Sequence, residues 1–167
     1  MAASSLTAER LRSLVSYNQE TGLFYRIVKT SNRANMCVPA GCLSHGYVVF
    51  HIGNVLYHAH RLAWLHVTGS WPKEEIDHIN GNRSDNRFCN LRECTSAQNN
   101  QNFGIRSDNK RGLTGVHLDK RDGVFYGRIK LNNKIIHLGR FKTAEEAHAA
   151  YVEAKSRLHT FQPTIRA

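Results

Sequence analysis

Apolar and polar positions recur along this chain with two different periods, and the places where the period changes mark its elements. Ala8, Leu11, Leu14 and Val15 follow one another at helical spacing behind Thr7, whose hydroxyl can cap a first turn. A short helix packing as a lid is expected. The runs GLFYRIV (22–28) and GYVVFHI (46–52) are rich in β-branched and aromatic residues, and Gly53-Asn54 separates the second from VLYH as a two-residue hairpin signal. A small antiparallel sheet follows from these runs. HRLAWLHV (60–67) then carries Leu62, Leu65 and His66 on one helical stripe, ended by Gly69 with Pro72 just beyond.

The pattern changes in 74–102, EEIDHINGNRSDNRFCNLRECTSAQNNQN, which is dense in Asn, Asp and Arg. A short strand carries Asp77 and His78, NGNRSDNRF is a polar excursion, and Leu91 to Cys94 pairs back as a second strand. A helix is expected from Thr95, because Thr95 and Gln98 have the spacing of a capping box. The polar text RSDNKR (106–111) reads as a linker into a second module. Beyond it GLTGVHLDK, VFYGRIKL and KIIHLGRF alternate apolar and polar residues, separated by RDG and Asn132-Asn133. A helix opens at Thr143 with Glu146 completing a capping box, and Ala147, Ala150, Tyr151, Ala154 and Leu158 form its covering face.

Charge sharpens this division. The chain has 167 residues and a formal net charge of +10, distributed as +3 over 1–102 and +7 over 103–167. A surplus of this size attracts polyanions, and the basic C-terminal third reads as a phosphate-backbone binder in preference to a merely solvated face. With 41% hydrophobic residues, disordered and coiled-coil classes are excluded. No apolar run approaches membrane-spanning length and MAASSLTAERLRS lacks the apolar core of a secretory signal, so a cytoplasmic protein with no membrane partner is expected.

Candidate chemistry concentrates in 74–102. Phosphodiester cleavage calls for a hard divalent cation with oxygen ligands, and Asp77 and Asn99 supply a carboxylate and an amide oxygen. It also calls for a neutral imidazole to take a proton from water, and for a carbonyl to hold its other nitrogen; His78 and Asn90 suit those roles. Cys37, Cys42, Cys89 and Cys94 form two pairs with four intervening residues each. They read either as a zinc site or as reduced thiols acting as small hydrophobes, the latter preferred because zinc knuckles favour tighter spacing. His45, His51, His58, His60, His66, His148 and His159 fit packing or surface roles.

Asp77-His78, then Asn90 thirteen and Asn99 twenty-two positions after Asp77, together with HRLAW upstream, resemble the HNH nucleases, specifically the phage-type homing endonucleases. The resemblance implies a β-hairpin and helix around one Mg2+ or Mn2+ ion, His78 as general base, Asn90 orienting it, and Asp77 and Asn99 as ligands. An asparagine stands where many relatives have a last histidine, which disfavours a nitrogen-rich zinc or nickel centre. In the C-terminal part, GVHLDK, FYGRIK, HLGRF and TAEEAHAAY resemble the AP2 DNA-binding domain, a three-stranded sheet backed by one helix. That likeness implies duplex DNA contact through Arg111, His117, Lys120, Arg121, Tyr126, Arg128, Lys130, Lys134, His137 and Arg140, with Arg128 reading a base and lysines holding phosphate.

The sequence thus predicts an α+β protein: a ββα-metal module within 1–103, a linker over 104–111, and an AP2-like domain over 112–167. The expected function is a metal-dependent DNA endonuclease in a homing-type role, acting on double-stranded DNA as a monomer with a dimer left open, in a bacterial host if phage-encoded. The competing readings are a DNA-binding regulator whose nuclease half is inactive, and a zinc-organised structural DNA binder.

Overall fold

The computed structural model describes residues 6–29, 36–101, 109, 112–131 and 134–159. The chain divides into two compact units, Met1–Thr95 and Ser96–Ala167. This division precedes the 104–111 segment, of which Asn109 is described; Arg111 and the Asn132-Asn133 turn lie outside the described residues.

In the first unit Thr7 caps α1 (Ala8–Leu14) by accepting from the Arg10 N–H. This helix is no lid, because Ala8 and Leu11 are buried in the core itself. Val15, which continues the helical stripe in sequence, instead takes extended backbone and opens β1 (Val15–Tyr17). Its partner is β2 (Phe24–Arg26), antiparallel, with Val15 opposite Arg26. β3 (Cys42–Ser44), β4 (Tyr47–Ile52) and β5 (Val55–His58) form an antiparallel sheet in that order. Gly53 at φ 61 turns the chain between Ile52 and its partner Val55, the tight connection that Gly-Asn predicts.

α2 (Ala59–Thr68) starts where β5 ends and stops at Gly69, whose left-handed φ of 81 caps it. Its apolar side, Ala59, Leu62, Ala63 and Leu65, packs with Leu11, Val15, Phe24 and Phe50, and also with Ile76 and Leu91. Each fully buried leucine contributes roughly 1.5–3 kcal/mol by leaving water. Ile76 lies on β6 (Glu75–His78) and Leu91 on β7 (Leu91–Cys94), an antiparallel hairpin entered on its return side through a 3₁₀ turn at Phe88–Asn90. The core therefore anchors this hairpin by its apolar residues and leaves its polar ones for other work.

The second unit opens with α3 (Ser96–Gln101), directly after Thr95. β8 (Val116–Asp119), β9 (Val124–Leu131) and β10 (Lys134–Phe141) make an antiparallel sheet with β9 in the centre. α4 (Ala144–Leu158) carries the reciprocal capping box of Thr143 and Glu146 and packs on β9. Its Ala147 is fully buried, and a Cβ at Gly127 would lie 3.2 Å from the Ala147 carbonyl oxygen, so the glycine sets how closely helix and sheet approach.

Register assigns the faces of this sheet. Gly127 and Ile129 turn to α4, so Tyr126, Arg128 and Lys130 turn away, joined by their partners His117, Arg140 and His137. His137 and Arg140 are three apart, and strict alternation would place them on opposite faces. A bulge between His137 and Gly139 restores both to the outer face. Lys134 corrects the sequence reading: it pairs with Leu131 and so falls on the face of Ile129, although it is exposed at the strand end. Lys120 and Arg121 lie in the turn after β8.

Candidate active site

The β6–β7 hairpin carries Asp77 and His78 at its buried end, 7% and 4% exposed. Because neighbouring strand residues point to opposite faces, the two side chains leave the hairpin on different sides. Asp77 faces its cross-strand partner Arg92, whose Nε and Nη2 both donate to Asp77 Oδ2 at 2.9 and 2.7 Å. The carboxylate is thus charge-balanced and fixed in place.

The His78 ring meets Asn86, with Nε2 3.4 Å from Asn86 Oδ1. Asn86 is 2% exposed, and its own Nδ2 donates to the Ser84 carbonyl, which turns the amide oxygen towards the imidazole. A ring that donates from Nε2 carries its lone pair on Nδ1. The side-chain carbonyl facing the His78 ring is that of Asn86, where the sequence reading gave the task to Asn90. Asn90 acts on the loop instead: its Oδ1 accepts from the Asn80 N–H and its Nδ2 donates to the Asp85 carbonyl, next to Asn86. Bidentate hydrogen bonds from Arg87 hold the Asp85 carboxyl below the usual carboxylate range, and Asn80 donates to it as well.

The N-terminal hairpin, whose role the sequence leaves open, buttresses this loop. Tyr17 Oη donates to the Asn86 carbonyl at 2.6 Å, and the Phe88 N–H donates to the Gln19 carbonyl. Gly22, at φ 74, passes so close that a Cβ there would stand 2.5 Å from the Arg87 backbone nitrogen. Gly22→Ala is accordingly expected to cost roughly 2–4 kcal/mol, from left-handed strain plus collision with backbone. Thermal melting should show the loss.

On the other side of His78 stands an aromatic and imidazole cluster that the sequence did not reveal. The His60 ring lies edge-on at 5.0 Å between centroids and the His58 ring lies 5.3 Å from His60. Tyr47 touches all three, with centroids 5.2 Å from His58, 5.4 Å from His60 and 6.1 Å from His78. Burial, reinforced by the neighbouring histidines and Arg61, lowers the His60 pKa to about 3, so this ring stays neutral at working pH. Its buried Nδ1 has no hydrogen-bond partner among the described residues. The His78 pKa is lowered too, chiefly by burial and in the opposite sense to the Asn86 hydrogen bond. The signal in sequence was the His-x-His spacing where β5 meets α2, which packing alone also explains.

The other sequence candidates are distributed as follows. Asn99 stands on α3, in the second unit. Cys37, Cys42 and Cys89 are exposed and Cys94 is buried; among the described residues no three His, Cys, Asp or Glu side chains converge in a metal-binding group. On the second sheet Arg140 is tied to Asp122 at 3.1 Å and stacks over Tyr126, and Arg121 also meets Asp122 at 3.3 Å. Arg128 and Lys130 are exposed on the same face with no carboxylate partner among the described residues. No helix among the described residues is long and apolar enough to cross a membrane.

A buried imidazole whose ring is oriented by an amide oxygen, on the same strand as a fixed carboxylate, has the groups that water activation at phosphorus requires. The donor set suits a hard cation that keeps water and takes phosphate oxygens for most of its shell. Residues 57–101 match the family model of the HNH endonucleases, a stretch that contains α2, the whole β6–β7 hairpin and α3. No curated protein and no solved structure matches the chain.

Proposed function

We propose that the chain is a metal-dependent DNA endonuclease that nicks or cuts a specific duplex site in a homing-type role, with its second unit acting as an AP2-like grip on the duplex. The observation that carries the reading is His78: inside the segment matching the HNH model, its ring is buried and held by Asn86, and burial lowers its pKa. In the proposed reaction His78 takes the proton of the attacking water, and Asn86, fixed through Asn90 and Tyr17, keeps the basic nitrogen aimed. Asp77 and Asn99 are the proposed ligands of one Mg2+ or Mn2+ ion. When bound, such an ion polarises the phosphate and stabilises the departing 3′-oxygen. Supercoiled plasmid incubated with the full chain and magnesium tests the reading directly: open-circular product means one strand is cut per visit, linear product means both, and unchanged plasmid overturns it.

The basic outer face of the second sheet supplies affinity in this reading. Lys130→Ala in the full chain is expected to weaken all duplexes alike and to make the salt slope shallower by about one, as one phosphate contact is lost. Arg128→Ala should instead relax the preference among sequences, since a guanidinium fork suits a guanine edge. Binding titrations at several salt concentrations, on preferred and scrambled duplexes, separate the two effects.

A further inference from the structure

Three arginines surround the hairpin loop, and two of them are neutralised. Arg87 pairs with Asp85 at 2.6 Å and Arg92 with Asp77 at 2.7 Å. Arg83 is different. It is exposed, has no carboxylate partner among the described residues, and rests its guanidinium carbon 5.0 Å from the Tyr47 ring centroid. That ring is the one packed against His58, His60 and His78. The main chain gives way beneath it: Gly46, at φ 84, has no Cβ, and one built there would lie 3.7 Å from Arg83 Cδ. The loop that carries Arg83 is itself held, Asn82 Oδ1 accepting from the Ser84 N–H and hydroxyl and Asn80 Oδ1 accepting from the Asn82 N–H. The Arg83 charge is close enough to oppose protonation of His78.

An uncompensated guanidinium on an aromatic seat, beside the imidazole that activates water, has the chemistry of an oxyanion clamp. Its planar fork matches two non-bridging phosphate oxygens, and it loses little freedom on binding because the ring already orients it. Building on the nuclease reading, we propose that Arg83 is a further catalytic residue, which holds the scissile phosphate against the His78 side of the site. In the step it serves, the water oxygen bonds to phosphorus, the water proton passes to His78, and the P–O3′ bond breaks with its electron pair on the 3′-oxygen. That oxygen gains a proton from solvent and leaves as a 3′-hydroxyl. Negative charge grows on the non-bridging oxygens along this path, so the Arg83 contact strengthens towards the transition state.

The test compares wild type, His78→Ala, Arg83→Ala, Arg83→Lys and Tyr47→Leu in the full chain, cleaving plasmid with magnesium. Arg83→Ala is expected to lower kcat by about 100-fold to 1,000-fold with DNA affinity within a few-fold, the effect of losing one preorganised donor. Arg83→Lys should recover part of the rate as a point charge without the fork, and Tyr47→Leu should lose part of it. A duplex with a methylphosphonate at the scissile position supplies the second readout, because removing one charged oxygen should shrink the Arg83→Ala penalty. Since Arg83 is exposed, its variants should melt with wild type. If wild type cleaves, His78→Ala is impaired, and Arg83→Ala either cleaves at the wild-type rate or changes only KM, Arg83 is not catalytic and the nuclease reading stands. If wild type itself fails to cleave, both fall together.

Discussion

Asp77→Ala is expected to abolish plasmid cleavage while leaving DNA binding within a few-fold. Asp77 is the buried carboxylate of the hairpin and the proposed anionic ligand, whereas the basic face assigned to duplex affinity belongs to the second unit. Its removal also takes away the oxygen that accepts hydrogen bonds from the Arg92 Nε and Nη2. Loss of a buried ion pair's carboxylate destabilises, on the order of 3 kcal/mol. Asp77→Asn is therefore the necessary companion: it keeps the shape and an acceptor for Arg92 but removes the charge, so it should remain folded and still fail to cleave. Circular dichroism and a binding titration establish folding and affinity for both variants. Full residual activity in Asp77→Asn would sink the ligand assignment.

His78→Ala is expected to slow the chemical step by roughly 100-fold to 10,000-fold, the span of general-base catalysis. The same role fixes the sign of the pH dependence. The base works only when neutral, and burial lowers its pKa from the ordinary 6.5. Single-turnover rate should therefore be flat through neutral pH and fall on acidification, with a midpoint below about 6.5. His60 has no part in that limb, being neutral down to about pH 3. A limb centred well above 6.5 would assign the titration to another group, and an unchanged limb in His78→Ala would remove His78 from the mechanism.

Much of this was legible in the chain because the determinants are local. Thr7, Gly53-Asn54, Gly69 and the Thr143/Glu146 box each act within a few residues, and the elements they bound stand where the pattern places them. Asp77 and His78 stand on a hairpin as read, because Ile76 and Leu91 give it an apolar side to bury. Elements with little pattern of their own were missed: β1 and β3 have three residues each, and pairing with β2 and β4 rather than propensity makes them strands.

By itself the sequence determined the longer helices and strands, the position of the polar hairpin, the asymmetry of charge and the residue types available to chemistry. Only the tertiary structure decided which of several loop asparagines reaches His78, since Asn80, Asn82, Asn86 and Asn90 are equivalent in composition and differ in the distances the folded loop imposes. It decided that the N-terminal hairpin supports that loop, a contact between Tyr17 and Asn86 with a sequence separation of 69. It decided that His58, His60 and Tyr47 crowd His78, and that Arg83, unlike Arg87 and Arg92, lacks a carboxylate among the described residues. The physical reason is common to all of these. Local propensities act through neighbours on the chain, whereas burial, ion pairing and the aim of a buried ring are set by neighbours in space, which pairing register and core packing bring together.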